Sequence, residues 1–241
     1  VLEFFNQMET GAIRRHDGKP FKSGRDYMKV FIAFWHWYQK RDPKATDITK
    51  YLSPDVPTKS EFVYFTVDEL RRVAAQAKLF YRALMWFLFD SGIRSPTELM
   101  SVRVRDLSFI QNSEAFELNI REEYAKTFGR KIKLRLCSDI LREHIRGMQP
   151  EAILFSGDWK TIKTYIKRVF IKTLGDRDTK GGKRTGEVRP YDFRHSSACY
   201  WLTRYKKEAG FKYRFGWKEN QMIHYYTNFL GMEDPIIEQD I

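Results

Sequence analysis

The sequence predicts a mainly α-helical fold with a small antiparallel β-sheet (α+β). Apolar residues recur at helical spacing along most of the chain, whereas the stretches 115–121 and 130–136 alternate apolar with polar residues. A polar turn containing Gly129 joins these two stretches, which is typical of a β-hairpin. Hydrophobic residues make up 42% of the 241 residues, enough for a packed core and too many for a disordered chain.

The chain is expected to begin with two helices. Residues 2–14 show helical spacing, and the Gly- and Pro-containing segment HDGKPFKSG then breaks the pattern. Ser23 or Asp26 can cap a second helix over 26–40. One face of that helix carries Tyr27, Val30, Phe31, Phe34 and Trp35. A turn and one short helix are expected in the segment RDPKATDITKYL that follows.

A domain boundary is predicted near 53–60. The segment YLSPDVPTKSEF holds two prolines and is the best linker candidate in the chain. It separates a small helical domain, 1–55, from a larger domain, 60–241. The chain does not begin with Met, and we expect the small domain to lack an N-terminal part.

The larger domain is predicted to be helical around its hairpin. Thr66-Val67-Asp68-Glu69 has the pattern of a capping box before a helix that ends near 76 or 77. A very apolar helix is expected over 80–90, and Pro96 suits the first turn of another that ends at Val102. Further helices are predicted over 139–148, 160–174 and 196–207, with a long polar loop over 176–190.

Charge and cysteine usage restrict the function classes. The formal net charge of +12 favours a polyanionic partner such as nucleic acid. Cys137 and Cys199 lie far apart without metal-ligand spacing, so we expect reduced thiols in an intracellular protein, with no zinc site. The expected localisation is cytoplasmic and nucleoid-associated. The longest apolar stretches are far shorter than the roughly 20 residues that span a bilayer, so no membrane partner is expected.

Two arginines stand where the chain can hold them in fixed positions. Arg94 follows the apolar helix at a Gly-containing turn, and Arg194 follows a Pro-containing loop. A guanidinium is planar, stays charged and matches phosphate oxygens. Two of them from different elements can stabilise the negative charge that develops when a phosphodiester is cleaved. A single arginine is more often a surface ion-pair partner. The two arginines therefore indicate phosphodiester cleavage only in combination with further catalytic groups.

A leaving hydroxyl needs a proton, and Lys126 is the candidate donor. It lies at the predicted hairpin turn, just before Thr127-Phe128-Gly129, and the pKa of a lysine can fall in a cationic site. Lys131 and Lys133 are alternatives, although both are expected within the second strand of the hairpin. Read alone, Lys126 is an ordinary solvated turn lysine.

Tyr225 and Tyr226 each offer a phenol that can attack phosphorus. The product would be a covalent phosphotyrosine, which conserves bond energy so that strands can rejoin without ATP. Neighbouring arginines would favour the phenolate. The local sequence alone does not decide between the two tyrosines.

Taken in order, these segments resemble the motifs of the tyrosine recombinase (phage integrase) family over about residues 60–230. SGIRSPTELMSVRVRDL resembles the first arginine box, and AKTFGRKIKL resembles the β-hairpin lysine segment. YDFRHSSACYWL resembles the second box, usually written HxxRH, and FGWKENQMIHYYTNF resembles the stretch that ends at the nucleophile. Tyr226 lies nine residues after Trp217, which is the family's usual interval and favours Tyr226 over Tyr225.

The resemblance implies a role for each matched residue. Arg94 and Arg194 resemble the phosphate clamps, and Lys126 resembles the general acid. Trp217 stands where relatives place His or Trp as a hydrogen-bond donor to the phosphate, although an indole N–H cannot shuttle protons. Tyr226 would be the nucleophile.

Two residues depart from the family pattern. Tyr191 stands at the usual first histidine of the second box, as in archaeal virus- and plasmid-type integrases, and a phenol is a poor general base near neutral pH. His195 is the next residue after Arg194 and is expected to be a packed helix histidine. The acidic residue after the first arginine is Glu98, four positions on instead of the usual three.

The small domain resembles part of the family's helical core-binding domain. Basic residues interleaved with aromatics would suit one wall of a clamp around double-stranded DNA, although a solvated basic face has the same composition. These residues are Arg14, Arg15, Lys19, Lys22, Arg25 and Lys29. The resemblance also implies a homotetramer on two DNA sites and no metal or nucleotide cofactor, in keeping with a sequence that has no P-loop motif.

Two other functions fit parts of this pattern. A type IB topoisomerase would share the cleavage chemistry but relax supercoils without exchanging partners. A DNA-binding protein with decayed catalysis would explain Tyr191 in place of histidine. The short N-terminal region and the spacing from Trp217 to Tyr226 favour the recombinase over the first, and the four matched residues Arg94, Lys126, Arg194 and Tyr226 argue against the second.

Overall fold

A computed structural model of the chain describes residues 1–21, 23–54, 62–175 and 187–231. Contacts between residues divide the chain into two compact units, Val1–Ser60 and Glu61–Ile241. The predicted boundary near 53–60 lies mostly outside the described residues. Lys22 and most of the predicted loop 176–190 also lie outside them.

The N-terminal unit contains α1 (Leu2–Thr10) and α2 (Gly24–Gln39). The Ser23 hydroxyl caps α2 by accepting a hydrogen bond from the Asp26 N–H at 3.2 Å. The core of this unit is small, with Phe5, Met8 and Met28 at its centre. The predicted apolar face of α2 is only partly buried. Phe31 packs on the core, whereas Tyr27, Val30 and Phe34 are at least half exposed.

The short helix predicted after α2 is absent from the described residues of 41–54, which form turns. The side chains of Asp42 and Asp47 accept hydrogen bonds from the backbone N–H groups of Lys44 and Thr49. Aspartates that bond to nearby backbone in this way compete with helix formation. The prediction was therefore wrong because it gave too little weight to these local turns.

The larger unit is mainly helical with one three-stranded antiparallel sheet in the order β1-β2-β3. Its helices are α3 (Val67–Ala75), α4 (Leu79–Ser91), α5 (Ser138–His144), α6 (Trp159–Leu174), α7 (Pro190–Leu202), α8 (Glu208–Phe215) and α9 (Gln221–Leu230). Its strands are β1 (Leu107–Ile110), β2 (Ala115–Ile120) and β3 (Arg130–Lys133). The predicted α+β class is confirmed.

Helix α4 lies at the centre of this unit, packed against α3, α5 and α7. Eight of its last nine residues are buried, which explains its unusually apolar sequence. The capping box predicted at Thr66 is present, with its hydroxyl accepting from the Glu69 N–H at 3.3 Å and the Glu69 carboxylate accepting from the Thr66 N–H at 2.8 Å. The end of α4 is fixed by Gly92, whose left-handed φ of 60° favours glycine.

The predicted hairpin is confirmed, with Leu118 of β2 opposite Ile132 of β3. Several helix predictions were wrong in their extent, including the one over 139–148, which ends at His144. Residues 96–102 form only a 3₁₀ turn at Leu99–Ser101, because the Glu98 side chain folds back and accepts a hydrogen bond from the Arg94 N–H. The helix predicted at 196 begins at Pro190, a favourable first helical position.

No helix among the described residues is long and apolar enough to cross a membrane.

Candidate active site

Helix α7 positions the second predicted box. The Asp192 carboxylate caps its first turn by accepting from the Arg189 N–H at 2.6 Å. Tyr191 and Arg194 are one helical turn apart and therefore lie on the same side of α7. Tyr191 is 43% exposed, whereas Arg194 is only 2% exposed.

Arg194 is held by backbone carbonyls from two other segments. Its guanidinium donates hydrogen bonds to the carbonyl of Gly92 and to that of Phe215, the second at 2.5 Å. Burial, followed by the nearby positive charge of Arg94, lowers the pKa of Arg194 to about 10. The side chain remains cationic at neutral pH, so a buried positive charge faces this site.

Arg94 reaches the same place from the end of α4. Its Nη2 donates to the carbonyl of Gly216 at 3.0 Å, and its Nη1 donates to Glu98 Oε1 at 2.8 Å. The two predicted clamps are thus anchored on the consecutive carbonyls of Phe215 and Gly216. The close approach depends on Gly92, because a Cβ there would lie 2.3 Å from the Phe215 ring.

Glu98 contacts the Arg94 guanidinium, although it follows Arg94 by four positions instead of the family's usual three. Its carboxylate accepts from the Arg94 N–H at 3.1 Å and from both terminal nitrogens of Arg130, at 3.1 and 2.8 Å. Burial alone would raise the pKa of Glu98, but the hydrogen bonds and charges of Arg130 and Arg94 lower it to about 2. Glu98 is therefore ionised and holds two guanidiniums in place.

Arg130 was not predicted as a site residue. It is fully buried in β3 and lies on the same face of the strand as the buried Ile132. A charged residue at an inward-facing strand position was the available signal, since such a residue is rarely buried without a partner.

Lys126 lies in the connection between β2 and β3, where the hairpin prediction placed it. Its side chain is exposed, and its backbone N–H approaches Glu98 Oε1 at 3.5 Å. The neighbouring Thr127 hydroxyl donates to the Gly216 carbonyl at 2.9 Å. The alternative Lys131 lies within β3 and pairs with Glu117 at 3.4 Å. Of these two lysines, Lys126 is the one whose backbone adjoins the arginine cluster.

Trp217 packs next to both Arg194 and Tyr226. Its ring stacks on that of Tyr226 with centroids 5.6 Å apart and planes inclined by 17°. The guanidinium carbon of Arg194 lies 5.6 Å from the centroid of the Trp217 ring. Trp217 is partly buried, so the structure gives it a packing role next to both groups.

Tyr226 is the tyrosine directed toward this cluster. It is 1% exposed, whereas Tyr225 is partly exposed on the same helix. Burial raises the pKa of the Tyr226 phenol well above its ordinary value, and the positive charge of Arg194 opposes this effect. The phenol is protonated in this arrangement.

His195 contacts the Tyr226 phenol directly, which sequence reasoning missed. Its Nδ1 lies 2.6 Å from Tyr226 Oη, and its ring stacks on Phe62 with centroids 4.4 Å apart. The expected packing is present, since the side chain is 8% exposed. The hydrogen bond could not be foreseen, because it joins α7 to α9 across 31 residues of sequence.

The predicted DNA-contacting residues belong to the N-terminal unit. Arg14 and Lys29 are exposed. Arg15 and Lys19 lie 3.4 and 3.5 Å from the Asp17 carboxylate. Arg25 lies 3.7 Å from Glu9, and Lys22 is outside the described residues. Nearby acids therefore offset part of this basic surface.

Known protein families and curated proteins contain no match to this sequence, but solved structures do resemble it. The crystal structure of XerA recombinase is 19% identical, over 99% of this chain and 79% of its own, with a TM-score of 0.54. A post-cleavage complex of XerH site-specific recombinase with palindromic difH substrate is 14% identical, over 95% and 68%, with a TM-score of 0.65. A lambda integrase tetramer bound to a Holliday junction is 15% identical, over 81% and 58%, with a TM-score of 0.57.

At these identities the likeness concerns the fold. The chain has the fold of a tyrosine recombinase catalytic domain, a mainly helical unit with a small three-stranded antiparallel sheet.

Proposed function

We propose that this chain is a site-specific DNA recombinase of the integrase type. It would cleave and rejoin DNA strands through a covalent 3′-phosphotyrosine at Tyr226. One observation carries the proposal. The segment Phe215–Trp217 accepts hydrogen bonds from Arg194 and Arg94 and stacks its tryptophan on Tyr226, so two cations and a phenol converge on three consecutive residues.

The chemistry follows from the types of group that meet there. The Tyr226 oxygen attacks phosphorus, and the bond from phosphorus to the 5′-oxygen breaks. Lys126 gives its proton to that leaving oxygen. Arg94 and Arg194 stabilise the charge on the non-bridging oxygens, and Trp217 and Tyr191 can each donate a further hydrogen bond. A 5′-hydroxyl from another strand then reverses the step and releases Tyr226.

The expected partner is double-stranded DNA, bound as a homotetramer across two sites. A net charge of +12 supports a polyanionic partner. The neighbouring lambda integrase structure is a tetramer on a Holliday junction, which supports the same assembly here. Tyr191 in place of the usual histidine supports a narrower proposal, an integrase of an archaeal virus or plasmid acting inside the cell.

A covalent-trapping experiment tests the function. The protein is mixed with a pool of nicked duplexes whose central segment is randomised, then denatured, and protein–DNA adducts are separated on a gel. Sequencing the recovered DNA identifies the cleaved sites. Wild-type protein should form an adduct, Tyr226→Phe should form none, and the matched variant Tyr225→Phe should retain it.

The other functions give different results in the same system. Once a site is known, exchange between two site-bearing duplexes indicates a recombinase, whereas relaxation of supercoiled DNA without exchange indicates topoisomerase activity. Firm DNA binding without any adduct would identify a non-catalytic binder. An adduct that persists in Tyr226→Phe would refute the assignment of the nucleophile.

A further inference from the structure

The described residues hold one hydrogen-bond partner for the Tyr226 phenol oxygen, which is His195 Nδ1 at 2.6 Å. The contact is enclosed, since Tyr226 is 1% and His195 is 8% exposed. The Phe62 ring lies parallel to the imidazole, inclined by 15°, and fixes the plane of the histidine ring. A titratable nitrogen is therefore held on the atom that the proposed function makes the nucleophile.

The direction of this hydrogen bond follows from the burial. The phenol is protonated, because burial raises its pKa, and a buried hydroxyl hydrogen without an acceptor is strongly unfavourable. If Nδ1 carried a hydrogen and donated it, the phenol hydrogen would have no acceptor among the described residues. Nδ1 therefore accepts from Oη, and the ring is in the neutral form with its hydrogen on Nε2.

We propose that His195 is the general base that takes the proton from Tyr226 when this tyrosine attacks DNA. The proposal rests on the proposed function and adds a catalytic residue to it. As the bond from Oη to phosphorus forms, the phenolic proton moves to Nδ1 and the ring becomes an imidazolium. The bond to the 5′-oxygen breaks, and that oxygen takes its proton from Lys126. In the reverse step, the released phenolate recovers its proton from Nδ1.

Tyr191 cannot supply this function in the same way. It occupies the position of the second box where the resemblance leads one to expect histidine, but a phenol accepts a proton poorly near neutral pH. Its ring lies 5.2 Å from that of His195 in an edge-on arrangement. His195 fills the last place of the same box, directly after Arg194, and its Nδ1 is the imidazole nitrogen that contacts Tyr226.

Charged and titratable groups from α7 and α9 surround the Tyr226 phenol. Arg194, Tyr191 and Cys199 on α7 and Tyr225 on α9 act on its pKa. Arg194 supplies the positive charge among them and favours the phenolate that forms when the proton moves to Nδ1.

The first test compares two substitutions of His195. Asparagine can place an amide oxygen near the position of Nδ1 and accept the hydrogen bond, but it cannot take the proton, whereas alanine removes both functions. With a DNA site identified by trapping, the rate of adduct formation should fall by at least about 100-fold in His195→Asn and in His195→Ala. The control is His144→Asn, which removes a partly buried histidine elsewhere in the same unit, hydrogen-bonded to the Leu154 carbonyl. This variant should keep the wild-type rate.

The second test separates the base from the acid. A duplex with sulfur in place of the bridging 5′-oxygen loses a thiolate that needs no proton, so Lys126→Ala should recover toward the wild-type rate on it. His195→Asn should remain slow on the same duplex, because its defect lies in the nucleophile. On this duplex the wild-type rate should also fall as pH is lowered through the range in which imidazoles titrate, and His195→Asn should lose that dependence.

Each outcome decides one of the two claims. If wild-type protein forms no adduct on any duplex, the proposed function fails. If it forms an adduct and His195→Asn cleaves within about threefold of it, the residue only positions Tyr226 and the base assignment is overturned. Recovery of His195→Asn on the sulfur duplex to the same extent as Lys126→Ala would overturn it as well. Circular dichroism and DNA binding of the variants confirm that they are folded.

Discussion

Substitution of Glu98 by glutamine should show how strongly the arginines of the candidate site depend on one carboxylate. The Glu98 side chain is fully buried and accepts hydrogen bonds from Arg94 and Arg130. Glutamine has nearly the same shape but leaves these guanidiniums without a counter-charge. Removing one partner of a buried ion pair costs about 3–5 kcal/mol. That is a large part of the roughly 5–15 kcal/mol that stabilises a typical domain.

The pKa gives an independent magnitude and a sign. A folded-state pKa of about 2, against an ordinary value of 4.5, corresponds to about 3 kcal/mol of stabilisation, since each pKa unit is worth about 1.36 kcal/mol. Because the folded pKa is the lower one, this stabilisation is present above pH 4.5 and is lost as pH falls toward 2. At pH 3 about 2 kcal/mol of it should be gone.

Urea denaturation at pH 6 and pH 3, followed by tryptophan fluorescence, measures both effects. The free energy of unfolding of the wild-type protein should fall between these pH values by about 2 kcal/mol more than that of Glu98→Gln. The control Glu151→Gln breaks an exposed pair with Arg105 and should change stability by less than about 1 kcal/mol. If Glu98→Gln keeps the full pH dependence of the wild type, the titration of Glu98 is not what destabilises the protein between pH 6 and pH 3.

Three further outcomes are expected. Lys126→Ala should slow cleavage of ordinary DNA by about 10²–10⁴-fold, which is the usual rate contribution of a general acid. Lys131→Ala in β3 should leave the cleavage rate unchanged, and single-turnover adduct formation measures both rates. Trp217→His should retain a hydrogen-bond donor and most activity, whereas Trp217→Ala should lose the stacking on Tyr226 and slow adduct formation by at least about tenfold. Arg14→Ala and Lys29→Ala should weaken DNA binding on all sequences alike and lower the slope of log affinity against log salt by about 1 each, as titrations at several salt concentrations will show.

The sequence predicted those parts of the molecule that depend on local pattern. The capping box at Thr66, the apolar helix α4 and the β2–β3 hairpin are each encoded within a few residues and were found. Strand β1 was missed because it is only four residues long and its burial does not alternate. The start of α7 at Pro190 was missed because the polar loop before it obscured the boundary.

The residues of the candidate site likewise differ in whether the local sequence reveals them. Arg94, Lys126, Arg194 and Tyr226 were recognised from ordered motifs, and the structure brings them to one region. The role of His195 was not, because the last place of the HxxRH box was expected to hold a packed helix histidine and its partner is 31 residues away. Contacts between distant segments depend on tertiary packing, which periodicity and spacing do not report.

The Phe215–Trp217 segment couples the positions of Arg94, Arg194 and Tyr226. Its carbonyls hold Arg194 and Arg94, and its tryptophan covers Tyr226, so a shift of this backbone displaces both cations and the phenol. Gly216 permits the arrangement, because its φ of 61° is left-handed and a Cβ there would lie 3.1 Å from Arg130 Nη1. Arg194 and Tyr226, which both contact this segment, are only 2% and 1% exposed. The alignment of the two arginines with the phenol therefore depends on the same three consecutive residues.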